Sequence, residues 1–285
     1  MQKFGKKLAA MTFVVAGFAS AAFTGAQAEG GAVKLYTLDC GTVNMLDLSV
    51  FSREGKYVGE KNLAADPCYL ITHPKGNFLW DTGLPQALAD MPEGLINGPF
   101  HLKVKTKLTD QLAQLNLTPA DITYLSISHS HFDHIGNAGL FAEATFIIEE
   151  KERAHMFRDE ERANAETFAA FSALETAKTI EFKGQHDVFG DGSAIITSLS
   201  GHTPGHSVLL LELGNAGPVY LTGDMYHFTK ARENRTVPKF NTDPVETLVS
   251  MDKFEAMVAE SGALVVIQHE KSDFEKMPKF PAYLD

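Results

Sequence analysis

Between residues 123 and 134 an apolar, strand-like run, "TYLSIS", passes directly into "HSHFDH", which sets three histidines and an aspartate in six positions. Three further apolar runs end in the same way: "IITSLSG" on His202, "VYLTG" on Asp224 and "LVVIQ" on His269, while "FLWDTG" presents Asp81. Side chains with chemistry gather just beyond the carboxyl ends of strands in layered α/β folds, because the loops there are free to carry them. A single His202 or His269 would more often be structural, and Asp81 or Asp224 alone could simply cap a turn. Coincidence at all of these strand ends is a far weaker explanation than one shared site.

The local spacing supports two metal positions. His129 and His131 lie two residues apart, so in extended chain both imidazoles point the same way. Asp133 and His134 follow on the turn and can reach a second position nearby. His202 is placed to complete the first position, His269 the second, and Asp224 to bridge them. Imidazole and carboxylate without thiolate suit zinc best and also accept iron, cobalt or manganese, so the cofactor expected is two divalent metal ions. His206 is expected to orient a neighbouring ligand. His73, His101, His155 and His186 have no such context and read as surface or structural histidines.

The remaining pattern sets the class. Short runs rich in β-branched or aromatic residues predict strands at 33–39, 67–72, 77–80, 123–128, 145–149, 193–199, 207–213, 218–222 and 263–268. "GNAG" at 214–217 reads as a hairpin turn. Leu108, Leu112 and Leu115 repeat at helical spacing. Over 243–262 Asp243 caps a helix, Pro244 takes its first position, Glu246 completes a capping box and Gly262 stops it. Strands and helices interleave throughout, so the class is α/β or mixed α+β. The chain has 285 residues, and nothing linker-like divides it after its first 28, which predicts one domain over 29–285.

Those 28 residues read as an export signal. Lys3, Lys6 and Lys7 open it, "LAAMTFVVAGFASAAF" is a short apolar run, and "AQA" at 26–28 is a small-x-small cleavage pattern. The run holds too few strongly apolar residues for a stable membrane span. Cleavage after Ala28 would leave a periplasmic or secreted protein without a stable membrane anchor. Losing the three lysines takes the formal net charge from −11 to −14, which argues against nucleic acid or an anionic membrane surface as partner. Cys40 and Cys68, the two cysteines, lie in apolar runs where a disulfide and buried free thiols are both reasonable. The sequence leaves a monomer or a homodimer open.

Taken in order, "DTG", "HSHFDH", "GHTPGH", "LTGD" and "QHE" resemble the metallo-β-lactamase superfamily over about residues 33 to 285. The resemblance implies a four-layer αββα sandwich with a dinuclear metal site at one edge. It implies that His129, His131 and His202 hold one metal, that Asp133, His134 and His269 hold the other, that Asp224 bridges, and that Asp81 supports the site from behind. It further implies hydrolysis by a hydroxide shared between the cations. "LDCGT", "CYLI", "LWDTGLP", "GDMYHF" and "FPAYL" are most similar to the N-acyl homoserine lactonases, which open the lactone ring of bacterial quorum signals. Met45, Leu46, Phe51, Met91, Leu95 and Phe100 lie in early loops that could receive an acyl chain. An exported organophosphate or aryl-ester hydrolase and a glyoxalase-II-like thioesterase remain alternatives. The bridging aspartate argues against a β-lactamase, and the intact ligand set argues against a non-catalytic zinc-binding protein. Lactonases carry a tyrosine three residues after the bridging aspartate; here Tyr226 stands at the second place and His227 at the third. Both are candidates to contact the lactone; residue type favours Tyr226 and spacing favours His227, and the spacing is given more weight.

Overall fold

The computed structural model describes residues 33–285, so the export signal expected at 1–28 lies outside the described residues. Thirteen strands form two sheets. They are β1 (Lys34–Met45), β2 (Asn62–His73), β3 (Gly76–Trp80), β4 (Leu95–Asn97), β5 (Phe100–Lys103), β6 (Ile122–Ser126), β7 (Thr145–Glu149), β8 (Thr179–Phe182), β9 (Gln185–Asp187), β10 (Ala194–Ser198), β11 (Ser207–Leu213), β12 (Gly217–Leu221) and β13 (Leu264–Val266). The first sheet runs in the order β4-β5-β1-β2-β3-β6-β7-β8 and the second in the order β13-β12-β11-β10-β9. Every strand expected from the sequence is present, and β4, β5, β8 and β9 are additional.

The two-residue periodicity of each strand builds the layers. In β3, Phe78 and Trp80 point between the sheets while Leu79 points out to the helical side. In β7, Ile147 faces inward and Phe146 and Ile148 outward. Leu209, Leu211 and Val219 meet them from the second sheet, while Val208 turns outward onto Met251 and Phe254 of the Pro244–Ser261 helix. Leu108 and Leu112 of the Leu108–Gln114 helix cover the outer face of the first sheet. The result is a mixed helix–sheet–sheet–helix sandwich. Each large aliphatic or aromatic side chain fully buried in it contributes about 1.5–3 kcal/mol.

One detail departs from the sequence reading, and one that it left open is settled. Asp243 caps the Pro244–Ser261 helix by accepting from the Val245 and Glu246 amides at 2.9 and 3.0 Å, but no reciprocal bond from Glu246 closes a capping box. The Asp243 amide is already committed to the Gly201 carbonyl at 2.9 Å, which ties the helix start to the His202 loop. Cys40 and Cys68 are joined, which fastens β1 to its neighbour β2.

Candidate metal centre

Five strands of the two sheets deliver their following residues to one edge of the sandwich. Asp81 follows β3, the His129–His134 segment follows β6, and these two strands run parallel as neighbours in the first sheet. His202 follows β10, Asp224 follows β12 and His269 follows β13, all in the second sheet. Convergence needs the loops to lie very close together. Gly223 has φ +49°, and a Cβ there would sit 2.6 Å from the Ser128 Cβ, so glycine lets the Asp224 turn press against the His129 segment.

Two clusters form. In the first, His129 Nε2 lies 2.9 Å from His131 Nδ1, and His202 Nε2 lies 3.0 Å from each of them. The second gathers Asp133, His134 and His269. Asp224 divides its carboxylate between the two. Its Oδ2 lies 3.4 Å from His202 Nε2 and 3.7 Å from His129 Nε2. Its Oδ1 lies 3.0 Å from His269 Nε2 and 3.4 Å from His134 Nε2.

The outward nitrogens are pinned by acceptors. His134 Nδ1 donates to Asp81 Oδ2 at 3.0 Å, His269 Nδ1 to the Ala65 carbonyl at 2.9 Å, and His202 Nδ1 to Asn241 Oδ1 at 2.9 Å. In each neutral ring this leaves the inward Nε2 as a bare lone pair. Buried His134 Nε2, His269 Nε2 and Asp224 Oδ1 have no hydrogen-bond partner. Lone pairs facing carboxylate oxygens in a buried site repel unless positive charge lies between them. The donor set therefore fits two divalent cations, with His129, His131 and His202 able to hold one, Asp133, His134 and His269 the other, and Asp224 both.

Protons take up part of that demand in the bare protein. Burial opposes the imidazolium of His134, yet the Asp81 and Asp224 carboxylates outweigh it and raise the group well above the ordinary histidine range. His269 is pushed up to about 9 against its burial, chiefly by Asp224. Burial, then the neighbouring imidazoles, holds His129 and His131 well below the usual range. Burial alone would raise Asp224, but His227, His269 and His134 hold it well below the ordinary carboxylate range.

Supporting residues fill in behind. Asp81 sits at φ +58°, a left-handed conformation that aspartate tolerates, and its Oδ1 accepts from the Ser128 amide at 2.6 Å. His206 accepts from the Asp224 amide at 3.0 Å and donates to the Leu199 carbonyl at 3.2 Å. Burial and then His202 push its pKa down to about 3, so it is a neutral prop for the Asp224 backbone. Asn241 and Asp66 carry no signal in the sequence that marks them. Asp66 is fully buried, accepts from the Leu84 amide at 2.9 Å, and is pushed up to about 8 by burial and then by Asp133.

Tyr226 and His227 part company. The Tyr226 phenol turns away and donates to Glu255 Oε1 at 2.9 Å, in a group completed by Arg232. It does not line the cavity at the centre, which corrects its candidacy as a substrate contact. The physical reason is that Met225 and Tyr226 insert into the core under the Pro244–Ser261 helix. His227 lies in the cavity wall, with Nε2 3.0 Å from Asp224 Oδ2. That cavity, of about 330 Å³, also exposes His131, Asp133, Asp224 and His269 at its base. Met45, Phe51 and Phe100 line it as the sequence suggested; Leu46, Met91 and Leu95 do not. Met91 and Leu95 are exposed on the surface instead. Val43, Val50, Pro99, Phe132 and Phe240 complete the apolar wall.

The family model of the metallo-beta-lactamase superfamily matches residues 66–269. The N-acyl homoserine lactonase AttM of Agrobacterium fabrum is 30% identical over 262 residues, covering 88% of this chain and 99% of that protein. The protein of the same name from Azorhizobium caulinodans is 28% identical over 262 residues, covering 89% and 99%. A solved N-acyl homoserine lactone hydrolase, with the product N-hexanoyl-L-homoserine bound at its catalytic metal centre, superposes with a TM-score of 0.74 at 26% identity, covering 88% of this chain and 98% of that one. The order of the converging loops, the division of Asp224 between two clusters and these likenesses agree: the chain belongs to the metallo-beta-lactamase superfamily, among the relatives of the N-acyl homoserine lactonases.

Proposed function

We propose that the protein hydrolyses the lactone ring of N-acyl homoserine lactones. The observation that carries this reading is the apolar cavity ending on the two clusters, because it offers a dry wall for an acyl chain and a polar floor for a small ester. Phe51 and Phe100 supply facing aromatic surface, and Met45 lies beside them. Divalent cations held on the floor would polarise the lactone carbonyl and lower the pKa of a water enough to make it a nucleophile at neutral pH.

His227 does the remaining polar work. It is the one polar side chain of the cavity wall outside the ligand set. Burial lowers its pKa, against the pull of Asp224, which favours a neutral ring. Water adds at the carbonyl carbon, the ring C–O bond breaks, and the departing alkoxide takes a proton to give the N-acyl homoserine. His227 is placed to hydrogen-bond the carbonyl oxygen or to pass that proton. Phe51 stacks edge-on at 4.7 Å between ring centroids and fixes the imidazole's orientation.

We take both ions to be zinc, since the donors are imidazoles and carboxylates with no thiolate. We also propose that the chain is exported and cleaved before Glu29. The basic, then apolar, then small-residue order of its first 28 residues supports this, as does the bonded Cys40–Cys68 pair, which suits an oxidising compartment. Fractionation should find a form starting near Glu29 in the periplasm or medium, and full-length protein in the cytoplasm would overturn export. The test of function is a substrate panel on the zinc-loaded mature protein: N-hexanoyl and N-decanoyl homoserine lactones, nitrocefin, a thioester and paraoxon. The lactones should be turned over with the highest kcat/KM; a clear preference for any other member would displace this reading.

A further inference from the structure

Among the described residues, one buried carboxylate outside the candidate ligand set joins the two loops that supply the first cluster. Glu152, on the Glu150–Met156 helix, is 1% exposed. Its Oε1 accepts from the Ser130 amide at 2.7 Å and the Ser130 hydroxyl at 2.6 Å. Its Oε2 accepts from the Thr203 hydroxyl at 2.7 Å and the Gly205 amide at 2.9 Å. All four partners are donors, matching the four lone-pair sites of a carboxylate. Ser130 stands between His129 and His131; Thr203 directly follows His202.

The surroundings are shaped for this contact. A Cβ at Gly205 would lie 2.4 Å from the Glu152 amide nitrogen and 2.6 Å from the Glu152 Cβ, so only glycine lets the His202 loop lie against the helix. Glu149 caps the same helix by accepting from the Lys151 and Glu152 amides, which fixes where Glu152 begins its reach. The ring nitrogens of His129, His131 and His202 stand 2.9–3.0 Å apart although they come from different sheets. Hydrogen bonds behind a metal's ligands set their orientation, and losing one typically lowers metal affinity or activity about 10- to 100-fold.

We propose that Glu152 is a positioning residue that locks the His129–His131 segment to the His202 loop and so preorganises the first metal position. The inference rests on the metal reading of the site, not on which ester is hydrolysed. A glutamine in its place would turn an amide group toward one pair of donors and release that loop.

The test compares Glu152→Gln with the wild type and with Glu160→Gln, an exposed control on the following Asp159–Ala163 helix, using the mature protein stripped of metal. Zinc affinity is read by chelator competition, and cobalt(II) absorption reports the ligand geometry. His131→Ala and His269→Ala assign the two binding steps. Glu152→Gln should weaken the step assigned to His129, His131 and His202 about 10- to 100-fold and change the cobalt spectrum, while the other step and the control stay unchanged. A merely structural role would lower the melting temperature without separating the two steps. Unchanged affinity at the first step, or equal weakening of both, would overturn the proposal. If Glu152→Gln does not fold, Thr203→Val, which cuts one strap on the His202 side, reads the same selective loss, and equal affinity in that variant overturns it. A wild type that binds zinc yet ignores homoserine lactones would remove the lactonase reading and leave this one standing.

Discussion

At the scale of single residues, the cluster of candidate ligands was legible because the chemistry is dense and the spacing regular. Each candidate is a histidine or aspartate at or just beyond the end of an apolar run, and the structure draws all seven together. Glu152 was not legible, since "EEKER" reads as a solvated helix face, and Asn241 gave no sign because it meets His202 from 39 positions away. The choice between Tyr226 and His227 needed three dimensions. His227→Ala should lower kcat for homoserine lactones about 100-fold with full metal content, whereas Tyr226→Phe should change kcat little. Equal loss in both variants would refute this division. A second expectation concerns protons. His269 is held up to about 9 in the bare protein, so at neutral pH a cation must displace its proton. Because His134 in the same cluster is raised as well, affinity for the step assigned to His134 and His269 should rise by about tenfold or more per pH unit between neutral pH and pH 9. Chelator competition at pH 6.5, 8 and 9.5 measures this, and a flat profile would exclude His269 as a ligand.

At the scale of elements, the long strands announced themselves by alternation and the short ones did not. Strand β4 exposes all three of its residues and β5 buries one of its four, so neither shows an inward-facing pattern. Yet β5 and the residue before it carry Phe100 and Pro99 into the cavity wall, so part of that wall sits on the least legible segment. The capping box at Glu246 failed for a tertiary reason, because the Asp243 amide had a better-placed partner in Gly201. Phe100→Ala should reduce kcat/KM about 10-fold or more for N-decanoyl homoserine lactone and less for N-butanoyl, since one lost apolar contact is worth about 1–3 kcal/mol. Equal effects on both chain lengths would place the acyl group elsewhere.

At the scale of the whole molecule, the layered class followed from interleaved strands and helices, but the strand order did not. Parallel neighbours such as β12 and β13 are separated by the long Pro244–Ser261 helix, and no local signal records that pairing. The Cys40–Cys68 bond closes a loop with a sequence separation of 28. Loop-closure entropy for that length gives about 3–4 kcal/mol, so Cys40→Ser/Cys68→Ser should unfold at correspondingly lower denaturant. An unchanged midpoint would mean that the bond does not form in the isolated protein.

The split Asp224 carboxylate has a further consequence. The imidazoles around it come from loops of both sheets, His129 and His134 from the first and His202 and His269 from the second, so cations seated there would act as a clasp across the rim of the sandwich. Amide hydrogen exchange is the natural observable, because it reports opening region by region. Stripping metal with a chelator should speed exchange in segments 127–136, 199–206, 222–228 and 267–270, while the interior of β2 and β11 keeps its protection. The rim would then be held shut by the metal it binds, and the protein's lifetime would depend on how much metal its surroundings supply.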